Sequence, residues 1–522
     1  MLQVFIPAAG RGTRVQSNGI ELAKPIRSIG NKPMITRVMD LYPTGTRFLV
    51  ALGYQAEWVK QIAEISARLN AQEIEFVYTQ SWKSNDQGLT NTLIDCQPKL
   101  RDEFIFHAVD SMVDKKAIDA LAKNIGTTLL MAKPQLNGTY RTIKSSKWEK
   151  IEFTGTDNLF AYTGVSKITA NSKFWGEIKK QSVTNCEGGE TIGINPEQCK
   201  VIELKKEEWL DCGSIEGIHL AGKRYQSNDI VLERSDEAIW IIQNRMIKFH
   251  TSEKFITERV ARAKSLQPYV PIVEHESPNI YSYKRVDGTT LSKAPKESFK
   301  DFLEFCYGFW FLNLQNIEIP HAKKKYTEFY KVKALDRLQN FMKLFPEYCV
   351  TMINDKKVLG IDAMLSKIDW DSLSEITVGR VHGDLHPDNI IYSELEKSFC
   401  LLDWRQNLAG EVSAEGDIYY DLAKINHGLI VDHEKISLNE FIVDISGPKG
   451  IFSLEMTEKK KIWKKEFDQF VTDKNFDAKK IDVITALIFL NIAPLHHYPY
   501  NQFLFLLGHE MLNKQVTGTK HA

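Results

Sequence analysis

Apolar residues follow two rhythms along this chain, and the change between them divides it. From Leu2 to Asp110, short apolar runs alternate with amphipathic stretches. Leu2–Pro7, Arg47–Leu52, Glu73–Tyr78 and Phe104–Val109 read as buried strands, and Ile35–Leu41 and Gln55–Leu69 as helices. Strand and helix in alternation predict an α/β fold with an open, mixed but mostly parallel, Rossmann-like sheet. Ligands on such sheets bind beyond the carboxyl ends of strands, where Gly10, Gly53 and Asp110 fall. A helical stretch, Ile215–Tyr225, closes this half. The pattern then shifts to short strands that read as antiparallel, Asp229–Leu232, Ala238–Gln243 and Arg245–Phe249. A helix over Ser252–Leu266 and a strand over Tyr281–Arg285 follow. From Ser298 onward, long helical patterns rich in Phe, Leu, Tyr and Trp dominate. The expected domains are 1–225 and 226–522, the second with a smaller lobe over 226–290 and a larger one over 291–522. No internal repeat or low-complexity segment interrupts them.

A chain of 522 residues is long enough for two or three domains with separate cores. Lys+Arg and Asp+Glu both total 67, so the formal charge is zero, which argues against a general nucleic-acid or anionic-membrane binder. The seven cysteines form no C-x-x-C pair, and reduced thiols in the cytoplasm fit them better than disulfides or a zinc site. The apolar strand pattern begins at Val4 with no basic stretch before it, so no signal peptide is expected. No apolar run approaches the ~18 residues of a membrane span. Whether the chain forms homo-oligomers is left open.

The first chemical signal is A-A-G-R-G-T-R at Ala8–Arg14. A G-x-G turn lets backbone N–H groups approach phosphate oxygens, and a following helix adds its positive end. Alone, Gly10 and Gly12 fit any strand-to-helix turn, and an Asp at a strand end is more often a helix cap than a metal ligand. Here the turn is followed by Lys24-Pro25, Lys32-Pro33, Gly53-Tyr54, Gln80, Gln87-Gly88-Leu89, Val109-Asp110, Tyr162-Thr163-Gly164 and Trp209-Leu210-Asp211-Cys212-Gly213-Ser214. In this order the set resembles the nucleotidyltransferase family that makes NDP-sugars and CDP-alcohols. The resemblance implies a nucleotide site at Ala9, Gly10, Gly12, Thr13, Gln80 and Gly88. It implies Mg2+ on Asp110 and Asp211, Arg14 against the leaving pyrophosphate, and Lys24 on the reacting phosphates. Gln80 and Gln87 are compatible with a pyrimidine, CTP ahead of UTP. Val15-Gln16-Ser17 replaces the family's P-L-T, and Ile151–Gly155 lacks its E-K-P, which points away from a standard hexose 1-phosphate.

The second signal is V-H-G-D-L-H-P-D-N-I-I-Y from Val381, followed by C-L-L-D-W ending at Trp404. An Asp that orients and deprotonates a hydroxyl, with an Asn and a second Asp that hold magnesium on ATP, are the parts of a phosphoryl-transfer site. With Gly416-Asp417 and Tyr420-Asp421-Leu422-Ala423 downstream, this half resembles aminoglycoside phosphotransferases and choline kinases, whose domain is bilobal and protein-kinase-like. The resemblance implies Asp384 as the catalytic base and Asn389 and Asp403 as Mg2+ ligands. It implies Lys248 on ATP phosphate and Glu258 as its partner, with Glu253 as the alternative. Arg234-Ser235-Asp236-Glu237 stands where a Gly-rich flap would be. Asp417, Asp421 and His386 read as structural. Ala493–Phe503 reads as an aromatic acceptor wall or, more simply, a junction between helices.

A kinase product is a phosphate monoester, which is what the first half would consume. The reading is therefore a bifunctional enzyme. ATP phosphorylates a small hydroxyl-bearing acceptor (an alcohol, amino alcohol or sugar). An NTP then donates NMP to the phosphate, giving an activated precursor of the kind used for surface polysaccharide, with Mg2+ at both sites. The alternatives are a transferase with a non-catalytic kinase-like module, and an antibiotic phosphotransferase with an added domain.

Overall fold

The computed structural model describes residues 2–12, 22–83, 88–155, 158–182, 184, 186–225, 236–311 and 321–518. Thr13, Arg14 and Gln87, and the strand expected over Asp229–Leu232, lie outside the described residues. By internal contacts the chain forms two compact units, one of residues 1–253 with 275–283, the other of 254–274 with 284–522.

The first unit is built on a seven-stranded sheet. Its strands are β1 (Gln3–Ala8), β2 (Arg47–Leu52), β3 (Glu73–Tyr78), β4 (Glu103–His107), β5 (Thr128–Ala132), β6 (Ala161–Thr169) and β7 (Lys200–Leu204). Their spatial order is β7-β5-β6-β4-β1-β2-β3. Six strands run parallel to one another, and β6 runs against its neighbours β4 and β5. Phe5, Phe48, Leu49 and Val50 are all fully buried. Covering both faces of the sheet in this way makes central strands read as unbroken apolar runs. Helices α1 (Met34–Met39) and α2 (Ala56–Leu69) cover it, the latter burying Val59, Ile62, Ala63 and Ile65 on one stripe. Helix α3 (Leu89–Cys96) begins at Gly88, and α4 (Ile215–Arg224) at Ser214, whose hydroxyl caps the Gly217 N–H.

The antiparallel β6 and the Gly138–Lys144/Lys147–Phe153 hairpin modify the alternating pattern of the early sequence. Strands β8 (Glu237–Ile242), β9 (Arg245–His250), β10 (Val273–Ser277) and β11 (Ile280–Lys284) form a small sheet ordered β8-β9-β11-β10. Residues 237–250 and 280–283 group with the first unit. The cause is specific. Trp240 is fully buried and donates to Ser28 at 3.0 Å, Ile241 N–H bonds Asn31 O at 2.7 Å, and Phe249 packs edge-on against Trp58 at 5.3 Å.

The second unit is largely helical, with α5 (Glu253–Ser265), α6 (Ser298–Phe311), α7 (Ile418–Ile430), α8 (Ala478–Ile492) and α9 (Tyr500–Thr517) as its main helices. One antiparallel hairpin within it, β12 (Ile390–Ser393) and β13 (Ser398–Leu401), carries the candidate loop. Among the described residues, no helix is long and apolar enough to cross a membrane.

Candidate functional site

In the first unit, the carboxyl edge of the main sheet opens into a cleft of about 620 Å3. The turn after β1 brings Ala9, Gly10 and Gly12 to its wall. Gly12 has a φ of +68°, a left-handed conformation open to glycine, and its Cα face lies against Lys24. Gly53, at the end of β2, leaves no room for a side chain, since a Cβ would collide with the Trp82 ring and the Ala9 carbonyl. The Tyr54 N–H bonds that same carbonyl at 2.9 Å, which pins the turn to the neighbouring strand.

Two aspartates meet in this cleft through a short antiparallel ribbon. Ser111–Val113 pairs with Trp209–Asp211, and Asp211 stands opposite Ser111. Asp110 immediately precedes the ribbon, and its carbonyl accepts the Cys212 N–H at 2.8 Å. Both carboxylates converge on Gly213. A Cβ there would lie 2.8 Å from Asp211 Oδ1 and 3.3 Å from Asp110 Oδ2. Lys24 makes an ion pair with Asp110 Oδ2. Beneath the turn, buried His107 bonds the Ser111 carbonyl through Nε2 at 2.9 Å and the Tyr42 hydroxyl through Nδ1 at 2.7 Å. A carbonyl only accepts, so Nε2 carries the proton and the Tyr42 hydroxyl donates to Nδ1. Burial pushes the His107 pKa down to about 4 and keeps that tautomer neutral. Two convergent carboxylates are hard oxygen donors suited to Mg2+.

Of the remaining sequence candidates in this unit, Gly88 lines the cleft. Gln80 is exposed and is not among the residues lining it. The Arg11 guanidinium lies 5.2 Å from the Trp82 ring centroid at the cleft wall. Arg141 and Glu190 also line the cleft, and sequence reasoning missed both. Arg141 reaches from the hairpin to the carbonyl of Glu187 at 2.7 Å and also bonds Gly188 and Thr191. One Glu190 carboxylate oxygen is buried without a hydrogen-bond partner. Burial pushes its pKa up to about 7 against the opposing field of Arg141.

In the second unit, the segment from His382 to Asn389 is held from behind by buried charge. Asp421, on α7, accepts the N–H groups of His382 at 2.8 Å and Gly383 at 2.7 Å. Burial nonetheless raises its pKa to about 6. Arg262, on α5, donates to the carbonyls of His382 at 2.9 Å, Arg405 at 2.6 Å and Ser413 at 3.0 Å. Asp417 accepts from Thr377 N–H at 3.1 Å and the Tyr330 hydroxyl at 3.0 Å.

Asp384 is partly buried, with Lys424 Nζ 2.6 Å from Oδ1 and Asn389 Nδ2 3.2 Å from Oδ2. Burial opposes its charge, but Lys424 and then His386 outweigh that and hold the carboxyl well below the usual range. The hairpin register sets Ile390 against Leu401, and Leu402 N–H bonds Asn389 O at 2.7 Å. Asn389 and Asp403 therefore flank the same end of the ladder. Asp403 has a left-handed φ of +57°. Lys424 is a cationic neighbour of Asp384 that the motif did not contain. Lys248 is buried on β9 of the first unit. Glu258 belongs to the second unit, where its carboxylate accepts from Asn407 at 2.7 Å and faces Lys254 at 3.7 Å.

No family model matches the chain. It is 32% identical over 105 residues to the bifunctional protein GlmU of Cellvibrio japonicus, covering 20% of this chain and 20% of that protein. It is also 32% identical over 125 residues to that of Gloeothece citriformis, covering 21% and 26%. The chain thus spans about a fifth to a quarter of the length of these curated relatives. Among solved structures, an inositol-1-phosphate CTP transferase from T. maritima aligns with a TM-score of 0.33 and 15% identity, over 44% of this chain and 98% of that one. A UDP-glucose pyrophosphorylase complexed with UDP-glucose aligns with a TM-score of 0.31 and 16% identity, over 43% and 98%.

Proposed function

We propose that the chain is a bifunctional transferase that phosphorylates a small hydroxyl compound and then joins the phosphate to a nucleotide. The convergence of Asp110, Asp211 and Lys24 beside the glycine turn carries the nucleotidyl-transfer reading. The local likeness to GlmU supports it. A phosphate monoester oxygen attacks the α-phosphorus of an NTP, a P–O bond forms, and pyrophosphate departs with its electron pair. Both reactants are anionic, so Lys24 offsets their repulsion, and Arg14 fits the leaving pyrophosphate. Mg2+ held by Asp110 and Asp211 would supply further charge stabilisation across the phosphates. The nucleotide would lie along Ala9, Gly10, Gly12, Thr13 and Gly88, with CTP ahead of UTP.

In the second unit, Asp384 accepts the proton of the acceptor hydroxyl while its oxygen takes the γ-phosphoryl group of ATP and ADP leaves. Lys424 keeps Asp384 ionised for that task. Asn389 and Asp403 offer the oxygen donors for Mg2+ on ATP. An acceptor with an anionic group would fit the cations gathered here: Lys333 and Arg405 both lie over the Phe329 ring, at 5.4 and 5.6 Å. Lys333, Arg337 and Arg405 lie close enough that Lys333, already desolvated, is pushed down to about 7. Arg405 belongs to the same loop, with its N–H on His382 O at 3.1 Å. Such a cluster favours a carboxylate or phosphate and repels a quaternary ammonium.

Pyrophosphate release from the full chain tests the scheme, using each NTP, MgATP and a panel of free acceptors that includes sugar acids and choline. Release that requires one NTP, ATP and one acceptor together supports the coupled reading. Release only with a supplied phosphate monoester, and no ATP consumption with any acceptor, would leave the second unit a binding module.

A further inference from the structure

Beside Asp384 stands a group of side chains to which neither reaction assigns a step. His433 Nδ1 lies 2.9 Å from Asp388 Oδ2, and His386 Nδ1 lies 3.8 Å from the same oxygen. One ligand atom from each of the three residues falls within 4.8 Å of the others. The His433–Asp388 hydrogen bond satisfies that pair but leaves His386 Nδ1 buried without a partner. A cation would satisfy all three at once.

We propose that His386, Asp388 and His433 form a binding site for a first-row transition metal of the zinc class, with water completing its shell. Two imidazoles and one carboxylate suit such ions, whereas Mg2+ prefers all-oxygen surroundings. Tetrahedral ligands around zinc stand about 3.3 Å apart, so His386, 3.8 Å from the Asp388 oxygen, needs to draw in by about half an ångström while the 2.9 Å His433–Asp388 contact opens slightly. His433 and Asp388 are 38% and 41% exposed and have room to do so. The other nitrogen of His386 faces Asp384 Oδ2 at 3.9 Å, the kind of outer carboxylate that orients a metal-bound imidazole. An ion here would tie the Asp384–Asn389 loop to the short helix His433–Ser437. The site does not depend on the phosphoryl-transfer reading.

The test is titration of the chelator-stripped, full-length chain with Co2+ and Zn2+, followed by visible absorption and by metal content after gel filtration. The expected result is a single tight equivalent with cobalt d–d bands, displaced by Zn2+ and unaffected by excess Mg2+. His433→Ala should weaken binding by about 100-fold or more, and Asp388→Asn by at least about tenfold. Unfolding curves of the metal-free variants serve as the control for folding. Absence of the bands in the wild type would overturn the site. So would binding that His433→Ala leaves intact, which would assign the metal elsewhere, such as the adjacent His496 and His497.

Discussion

Asp110 and Asp211 come from segments far apart in the chain, whereas Asp384, Asn389 and Asp403 come from one loop and the hairpin behind it. The first pair meets only because a three-residue ribbon, Ser111–Val113 on Trp209–Asp211, closes across the sheet edge. The second set is already local, and the fold adds anchoring: Asp421 and Arg262 take up the backbone groups of His382, Gly383 and Arg405. The first cleft therefore depends on strand pairing as well as on its glycine turns. The second depends on buried charges that touch no substrate.

The largest expected effect separates the two. Asp384→Asn should lower product formed from a free acceptor by on the order of 10²–10⁴-fold, the share of a positioned base, while product from the supplied phosphate is unchanged. Loss of both in a pyrophosphate assay would collapse the comparison to a single site. Next, Asp211→Asn or Lys24→Met should cost roughly 10²–10³-fold in nucleotidyl transfer with either acceptor, and ATP consumption should continue. An unchanged rate in either variant would remove the cleft from the chemistry.

Asp421→Ala should act through the loop. Two buried N–H groups lose their acceptor, each at about 1–3 kcal/mol, so the urea midpoint of the second unit should fall and the first step should slow. A midpoint equal to wild type would show that the anchor is dispensable. The smallest effect belongs to Glu190. Its folded pKa is raised by burial to about 7, so the folded form keeps a proton that the unfolded chain gives up. Stability contributed by this group is present at low pH and is lost as pH rises through about 7. Glu190→Gln should remove that loss, and its advantage over wild type in thermal unfolding should grow from pH 5 to pH 8. An advantage independent of pH would mean that the carboxyl is not the titrating group.

Much of the first sheet was legible. Arg47–Leu52 and Glu73–Tyr78 form strands over those very residues, the first because a central strand covered on both faces carries an unbroken apolar run, the second as a half-buried edge strand. Ribbons of two or three residues carry no period, so the Ser111–Val113/Trp209–Asp211 pairing was invisible. Arg141, Glu190 and Lys424 escaped notice because each lies outside any motif and meets its site only through folding. The grouping of residues 237–250 with the first unit was likewise hidden. Their strand pattern was plain, but a pattern does not say which surface Trp240 and Phe249 will bury against.

The amino-acid order by itself determined the alternating architecture of the first half and the local Asp384–Asn389–Asp403 set. Both depend on interactions a few residues apart, or on burial that repeats along a strand. Tertiary structure alone decided that Asp110 and Asp211 share Gly213, that Lys424 pairs with Asp384, and that His433 approaches His386 and Asp388. Charges interact over a few ångströms whatever their separation along the chain, so distance in space, set by packing, determines which of them act together.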